Sequence, residues 1–208
     1  MSKPKTFLQT WQKIARRIRV PLGFLAAALY VFELWRQSPS TRAMAWSLLL
    51  VLPGVALRAY ASGYVKKNAE LTVTGPYAHT RNPLYLGSIL IAAGFALALA
   101  SWPVAAVLAV FFVVIYVPVI ASEERFLRAT FAGFDAYCAQ VPRLLPRLTP
   151  AQVEQPKMAL NLSDPAQAGN AGSFSLSLYL RHREYNAAIG ALLLYGCLLA
   201  ACWLHGAP

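Results

Sequence analysis

The sequence is poor in acidic residues, in cysteine and in histidine. The shortage of cysteine and histidine bears on two kinds of site, disulfide scaffolds and metal sites. Its 208 residues include 8 Asp and Glu, 3 Cys and 3 His. Cys197 and Cys202 lie inside an apolar run, Cys138 lies alone, and no CxxC pair or His/Cys cluster occurs. These spacings argue against a disulfide scaffold, and we expect no metal site.

What the sequence has in excess is apolar and basic residues. The hydrophobic residues make up 58% of the chain and the mean hydropathy is +0.48, whereas soluble domains are about 45–50% apolar. The 19 Lys and Arg give a formal net charge of +11. Such an excess is compatible with nucleic-acid binding, but basic residues of membrane proteins gather in cytoplasmic loops and beside anionic headgroups. We therefore expect contact with membrane lipids and no nucleic-acid partner.

The apolar residues fall into five candidate membrane spans, each near the length of about 20 residues that a bilayer requires. The sequence predicts an all-α, polytopic membrane protein in which spans three and four form a helical hairpin through "ASWP" at 100–103. The first span is short and carries Glu33, and Pro53 and Pro118 are predicted to bend their helices. Residues 122–148 are amphipathic and predict cytoplasmic helices. The five spans are about 20–35, 43–61, 84–101, 103–121 and 186–204.

The distribution of basic residues predicts the orientation of the spans. Basic residues are frequent before the first span, after the second and in 122–185, while the opposite side has only Arg36 and Arg42. A cytoplasmic N-terminus therefore satisfies the positive-inside rule. A cleaved signal peptide within 1–35 is the alternative, but no small-residue cleavage site follows the apolar run.

The chain is interpreted as a single membrane domain, 1–208, with four parts. Residues 1–67 hold the first two spans, and residues 68–148 form a core that carries the polar motifs. Residues 149–185 combine a connection rich in Pro, Gly, Asn and Ser with an interfacial segment at 174–185. Residues 186–208 hold the last span.

The first polar motif is "GPYAHTRNPLYLG" at 75–87, at the start of the third span. Asn82 suits the N-cap position, and Pro83 suits the first helical position because its missing N–H would be unpaired there. The first turn then directs free N–H groups and the positive end of the helix dipole at the membrane surface, which favours an anionic group such as a carboxylate.

Other residues of the same motif allow two interpretations. Gly87 would let a ligand approach the backbone, with Tyr77 and Tyr85 supplying an aromatic wall and hydroxyl groups. The alternative is a capped membrane helix with a packing glycine and interfacial tyrosines. The spacing of the residues does not distinguish the two.

The second polar motif is "ASEERFL" at 121–127, which the predicted hairpin returns to the same membrane surface as Asn82. Carboxylates at the hydrocarbon edge are costly and need a partner or a function. A helix N-terminus for an anion beside Glu123 for a cation suits a zwitterion, such as the amino-acid end of S-adenosylmethionine. The alternative is that Glu123 and Glu124 form ion pairs at the surface with neighbouring arginines, namely Arg81, Arg125 and Arg128.

Together the two motifs, with "FLRATF" and "YCAQVPRLLP" after them, resemble the integral-membrane methyltransferase superfamily. It includes the isoprenylcysteine carboxyl methyltransferases, the phospholipid methyltransferases and bacterial relatives. Its pattern is Arg-His/Asn-Pro-x-Tyr-x-Gly, a helical pair and then Glu-Glu, and the resemblance covers about 68–148.

The resemblance implies S-adenosylmethionine as cofactor and a lipophilic acceptor that enters from the bilayer, in a bacterial inner membrane. It implies no metal, no obligate protein partner, and no identified catalytic residue. The implied cofactor contacts are Glu70, Leu71, Thr72, Tyr77, Asn82, Pro83, Leu84, Tyr85 and Glu123. Supporting positions are Arg81, Gly87, Glu124 and Arg143, the last in the C-terminal lid of the family.

Three departures from the family pattern bear on the acceptor and the lid. Asn82 stands where eukaryotic members have His, so it cannot titrate near neutral pH. Val119 stands where prenylcysteine enzymes have an arginine facing the substrate carboxylate, which weakens the case for that substrate. "FAGFDAY" is one residue shorter than the usual lid motif. The candidate acceptors are a phospholipid amine, an isoprenoid or quinone-like lipid, a small thiol and a carboxylate, and Val119 argues against the carboxylate alone.

Two other functions fit parts of the sequence. A membrane reductase of the sterol-reductase type shares the layout of the C-terminal region, but its NADPH calls for more basic and aromatic contacts and for a longer chain. A non-enzymatic scaffold or transport component is the third class. Transporters usually carry inverted repeats with polar sites at the bilayer midplane, whereas here the polar motifs lie at one surface.

Overall fold

The computed structural model describes residues 7–37, 39–65, 70–153 and 173–205. Every regular element within these ranges is helical, which confirms the all-α prediction. The α-helices are α1 (Phe7–Arg36), α2 (Thr41–Ser62), α3 (Pro83–Leu99), α4 (Trp102–Phe111), α5 (Val117–Thr130), α6 (Phe134–Gln140), α7 (Leu176–Arg181) and α8 (Tyr185–Leu204). A 3₁₀ turn spans Gly75–Ala78, and a π-helical turn, Phe112–Tyr116, joins α4 to α5.

The helices long and apolar enough to cross a bilayer identify a polytopic membrane protein. Three of those described qualify by length and composition: Thr41–Ser62, the continuous run Trp102–Thr130, and Tyr185–Leu204. Pro83–Leu99 is apolar but has 17 residues, the lower limit for a span. These helices confirm the membrane class, and the spans predicted at 20–35 and 84–101 stay predictions.

The described chain packs as two compact units. In the first, which includes the segments up to Leu52, Ile89–Glu123 and Ala191 onward, α1 contacts α4 and the π-helical turn. Pro118 has no N–H to donate to the carbonyl of Val114 one turn earlier. The indole Nε1 of Trp11 donates to that carbonyl instead, at 3.3 Å. A π-helical turn precedes Pro118, and Pro53 lies inside a continuous α2; the bends predicted at the two prolines stay predictions.

Glu33, the acidic residue of the predicted first span, is buried with three partners in the first unit. Its side chain accepts from Gln37 Nε2 at 2.5 Å, from Ser101 Oγ at 3.2 Å and from Arg36 Nη1 at 3.3 Å. Ser101 also caps α4, because its Oγ accepts from the N–H of Val104 at 3.5 Å. Burial of a carboxylate is costly unless it is paired, and these contacts offset that cost.

The second unit comprises Pro53–Ser88 and Glu124–Gly190, as far as these segments are described. Its apolar cluster joins the segment before the 3₁₀ turn to α6 and the residues around it. Gly133 directly precedes α6 and has a φ of 89°, a left-handed conformation that glycine adopts at little cost. The buried members of the cluster are Leu71, Val73, Phe131, Phe134, Tyr137 and Val141.

The prediction of helices throughout 122–148 is wrong for its last part. α5 ends at Thr130, α6 ends at Gln140, and residues 141–153 are not helical. Pro142, Pro146 and Pro150 recur at every fourth position there, and each lacks the N–H that a helix needs. Most of the predicted flexible connection, residues 154–172, lies outside the described ranges.

The segment predicted to lie at the membrane interface forms the short helix α7. The side chain of Ser175 caps it by accepting from the N–H of Leu178 at 3.4 Å. Phe174, Leu176 and Leu180 are exposed. Its location at the interface stays a prediction.

Candidate functional site

The motif at 75–87 begins with a turn that requires glycine. Gly75 has a φ of 58°, and a Cβ there would lie 2.5 Å from Cε1 of Tyr64. Pro76 and Tyr77 lie within the 3₁₀ turn, and both are buried. The Gly-Pro-Tyr triplet thus lets the chain turn tightly before α3 begins at Pro83.

A strap, residues 142–151, lies along the motif in the second unit and is held by hydrogen bonds to it. The backbone bonds join Arg81 N to Pro142 O (3.0 Å), Arg147 N to His79 O (3.0 Å), and Ala151 N to Ala78 O (2.9 Å). Thr80 Oγ1 donates to the carbonyl of Leu144 at 3.0 Å. These bonds satisfy polar groups that would otherwise be unpaired, and they fix the strap against residues 78–82.

Asn82 connects the strap to the start of α3. Its carbonyl accepts from the N–H of Leu86 at 3.0 Å, the first hydrogen bond of the helix, and its side-chain Nδ2 donates to the carbonyl of Arg143 at 2.9 Å. Asn82 therefore precedes the helix as an N-cap residue does, while its amide holds the segment that carries Arg143. A histidine ring would not supply this amide donor.

A buried carboxylate with two arginines lies next to this helix start. The side chain of Glu124 has 7% of its surface exposed; it contacts Arg143 Nη2 at 2.5 Å and Arg81 Nη2 at 3.4 Å. The hydrogen bond to Glu124 raises the pKa of Arg143 above its usual value. Of the arginines that the sequence offered as ion-pair partners for Glu124, Arg81 contacts it. Arg128 pairs with Asp135 instead, at 2.6 Å.

Arg81 has an unsatisfied donor. Among the buried side-chain nitrogen and oxygen atoms in the described part of the chain, the Nε of Arg81 is the one that has no hydrogen-bond partner. Buried donors are almost always paired, because an unpaired one costs free energy. Two guanidinium groups around one carboxylate also leave one positive charge in excess. The unpaired Nε and the excess of positive charge both favour an additional anionic group beside Arg81.

The remaining predicted cofactor contacts lie in different surroundings. Leu71 is buried in the apolar cluster, and Thr72 Oγ1 donates to the carbonyl of Tyr64 at 3.4 Å. Tyr77 and Pro83 are buried, while Glu70, Leu84 and Tyr85 are half-buried. Glu123 is half-buried and directly precedes Glu124 on α5. The structure brings Arg81, Asn82, Glu124 and Arg143 into one hydrogen-bonded group, and the roles of the others stay predictions.

Gly87 packs against α2. A Cβ at this position would lie 2.7 Å from the carbonyl oxygen of Gly54 and 2.7 Å from Cγ of Arg58. Helix packing, the second of the two interpretations above, therefore accounts for the glycine. The same holds for Gly94, where a Cβ would lie 3.1 Å from the carbonyl oxygen of Ser47.

Sequence reasoning missed Arg58, which contacts the start of α3 from α2. Its Nη2 lies 2.7 Å from Oε2 of Glu184, and its Nη1 donates to the carbonyl of Leu84 at 3.3 Å and to Ser88 Oγ. A signal was present, since Arg58 lies inside the predicted span 43–61. A lone cation in an apolar helix is expensive and usually has a function.

His79 is held by the strap. Its Nδ1 lies 2.8 Å from the carbonyl oxygen of Arg147. A carbonyl accepts hydrogen bonds only, so Nδ1 carries the proton and donates it.

These observations define a class: a helical integral membrane protein with an arginine-rich polar site where an apolar helix begins. The sequence model for phospholipid methyltransferases matches residues 22–133, more than half of the chain. The chain belongs to this family of membrane methyltransferases. The match includes the predicted site residues from Glu70 to Glu124, and Arg143 lies beyond it.

Two curated proteins resemble part of the chain. One is the nickel-cobalt-cadmium resistance protein NccN of Alcaligenes xylosoxydans xylosoxydans, 39% identical over 90 residues, or 43% of this chain and 41% of that protein. The other is the cobalt-zinc-cadmium resistance protein CzcN of Cupriavidus metallidurans, 40% identical with the same coverage. The chain spans about two fifths of the length of each. No solved structure matches it.

Proposed function

We propose that this chain transfers a methyl group from S-adenosylmethionine to a lipophilic acceptor at the membrane surface. Membership in the family supports the class of reaction. The observation that carries the choice of cofactor is the unpaired Nε of Arg81 beside the buried Glu124, at the start of α3. A small molecule that carries both a carboxylate and an ammonium group matches such a site.

The chain's own residues would bind the two charged groups of the amino-acid end. Arg81 Nε and the N–H groups of the first turn of α3 would hold the carboxylate. Glu123 would hold the ammonium group, while Glu124 beside it would stay paired with Arg81 and Arg143. The other predicted contacts, Glu70, Leu71, Thr72, Tyr77, Pro83, Leu84 and Tyr85, belong to the segments that adjoin these residues.

Positioning and exclusion of water are what such a site contributes. When bound, S-adenosylmethionine supplies a methyl group on a sulfonium centre that is open to in-line displacement. Holding the two reactants in line can supply about 7–11 kcal/mol of the barrier reduction. The strap at 142–151 would shield the site, because it is fixed along residues 78–82.

The residue at position 119 and the description of the family bear on the acceptor. Position 119 is a valine with 1% of its surface exposed. A valine offers no charge to hold a prenylcysteine carboxylate. We propose a phospholipid amine as the acceptor, on the basis of the family's description; an isoprenoid or quinone-like lipid and a small thiol are the alternatives. The acceptor would enter from the bilayer, and the cofactor from the cytoplasm of a bacterium. This orientation places the N-terminus in the cytoplasm.

The names of the two relatives refer to metal resistance of those proteins. Among the described residues no group of three or more His, Cys, Asp and Glu could hold a metal ion. The class of reaction therefore follows the family, and the metals named for the two relatives are not assigned to this chain.

Calorimetric titration of the purified protein in detergent with S-adenosylhomocysteine tests the proposal. We expect saturable binding with one site per chain, and about tenfold or more weaker binding by Glu123→Ala, which removes a charge-assisted contact. Asp135→Asn is the matched control, since Asp135 is exposed and pairs with Arg128; it should bind as the wild type does. Absence of both heat and thermal stabilisation in the wild type, or unchanged binding by Glu123→Ala, would refute the proposal. Binding of NADPH in place of S-adenosylhomocysteine would favour a reductase.

A further inference from the structure

Arg58 is the residue that joins three helices within the second unit. It lies on α2, donates through Nη1 to the first turn of α3, and contacts Glu184, the residue before α8, through Nε at 3.1 Å and Nη2 at 2.7 Å. The side chains of Arg58 and Glu184 are 23% and 15% exposed. A guanidinium that engages a carboxylate through two nitrogens and a helix turn through the third is held in one orientation.

The contact with α3 falls on the predicted cofactor segment. The carbonyl of Leu84 accepts from Arg58 Nη1 at 3.3 Å and from Ser88 Oγ at 3.0 Å, and Ser88 Oγ itself accepts from Arg58. This carbonyl belongs to the first turn of α3, between Pro83 and Tyr85. Arg58 therefore links the first turn of α3 to α2 and to the residue before α8.

Gly87 allows this contact between α2 and α3. Because Gly87 has no side chain, the stem of Arg58 can lie against α3: a Cβ at 87 would be 2.7 Å from Arg58 Cγ and from the carbonyl oxygen of Gly54. Gly54 lies one turn before Arg58 on α2. Thus Arg58 and Gly87, on two helices, have the identities that the contact requires, which a chance surface ion pair would not require.

We propose that Arg58 and Glu184 are positioning residues for the methyl-transfer site. Arg58 fixes the first turn of α3 for cofactor binding, and Glu184 orients the guanidinium while linking that turn to the start of α8. The inference rests on the proposed function, because it assigns the pair a role in binding S-adenosylmethionine. Neither residue touches the cofactor in this assignment.

The test measures affinity and stability separately, because a purely structural pair would alter only stability. The dissociation constant for S-adenosylhomocysteine is measured by calorimetry well below the unfolding midpoint, for the wild type, Arg58→Lys, Arg58→Gln and Glu184→Gln. We expect Arg58→Gln to weaken binding about tenfold or more, since a displacement of about 1 Å at a site can cost up to a hundredfold. Arg58→Lys keeps the positive charge but loses the planar guanidinium with its several donors. Its affinity should therefore lie between that of the wild type and that of Arg58→Gln. Arg128→Gln, which removes an exposed ion pair, is the control with wild-type affinity.

The double variant Arg58→Glu/Glu184→Arg separates positioning from ion pairing. It restores the opposite charges, but a glutamate at 58 cannot donate to the carbonyl of Leu84. We expect the unfolding midpoint to recover relative to Arg58→Glu while the affinity stays low. Wild-type affinity in both Arg58→Gln and Arg58→Lys overturns the inference and leaves the proposed function standing. Absence of binding by the wild type overturns both.

Discussion

Substitution of Glu124 by glutamine is the sharpest test of the arginine–carboxylate group at the start of α3. The change keeps the volume of the side chain and removes its charge. The Glu124 side chain is 7% exposed and that of Arg81 is 14% exposed, so the variant leaves a buried guanidinium without its counterion. The Nε of Arg81 already lacks a hydrogen-bond partner.

The burial of the two side chains sets the size of the effect. Removal of one partner of a buried ion pair typically destabilises a protein by about 3–5 kcal/mol. The side chain of Arg143 is 50% exposed, so water compensates for most of its lost contact. We therefore expect a loss near the lower end, about 3 kcal/mol, which corresponds to a decrease of roughly 10 °C in the unfolding midpoint of a chain of this size.

Thermal unfolding of the purified protein in one detergent, followed by circular dichroism, measures this decrease. Asp135→Asn is the matched control, because the Arg128–Asp135 pair is exposed on both sides and its loss should hardly change the midpoint. If Glu124→Gln unfolds within about 2 °C of the wild type, the buried group does not stabilise the second unit and the reasoning fails.

Two other substitutions follow from the packing of this unit. Gly87→Ala should destabilise the protein by about 1–3 kcal/mol because of the close contact with α2, whereas Gly190→Ala, which meets nothing within 4 Å, should be neutral or slightly stabilising in the same denaturation assay. Burial raises the pKa of Tyr137 above its usual value, so its contribution to stability is complete below about pH 10 and is lost as the pH rises further, because the unfolded state ionises first. Tyr137→Phe should therefore reduce the alkaline loss of stability, measured by denaturation from pH 8 to 11. At neutral pH the same variant should be less stable by about 1 kcal/mol, because the carbonyl of Tyr77 loses the hydroxyl that donates to it at 2.7 Å. Equal alkaline slopes in the two proteins would contradict this assignment.

The start of α3 and the ion pair beside it could be predicted because both depend on local patterns. Asn82-Pro83 marks a helix start through backbone geometry alone, and α3 begins at Pro83. A carboxylate at the end of an apolar run needs a partner, and Arg81 is one of the three arginines that the sequence offered to Glu124. Both inferences follow from the cost of unpaired polar groups near hydrocarbon.

The strap and Arg58 could not be predicted in the same way. The strap is held by hydrogen bonds between residues more than 60 positions apart, such as Thr80 to Leu144, which no local periodicity reveals. The prolines of this segment predict only that it is not a helix, and the amphipathic pattern around it suggested the opposite. Arg58 was missed because the mean hydropathy of a whole span averages over one charge. The free-energy cost of a lone cation in an apolar helix nevertheless indicated that it has a partner.

Transfer of a labelled methyl group tests the central claim most directly. Purified protein is incubated with membranes and S-adenosylmethionine labelled in its methyl group, and the lipids are then extracted and separated. The account predicts label in a lipid fraction with the wild type and with Asp135→Asn, and a loss of about tenfold or more with Glu123→Ala. Label that stays wholly in the aqueous fraction, or equal labelling of lipid by Glu123→Ala and the wild type, would contradict it.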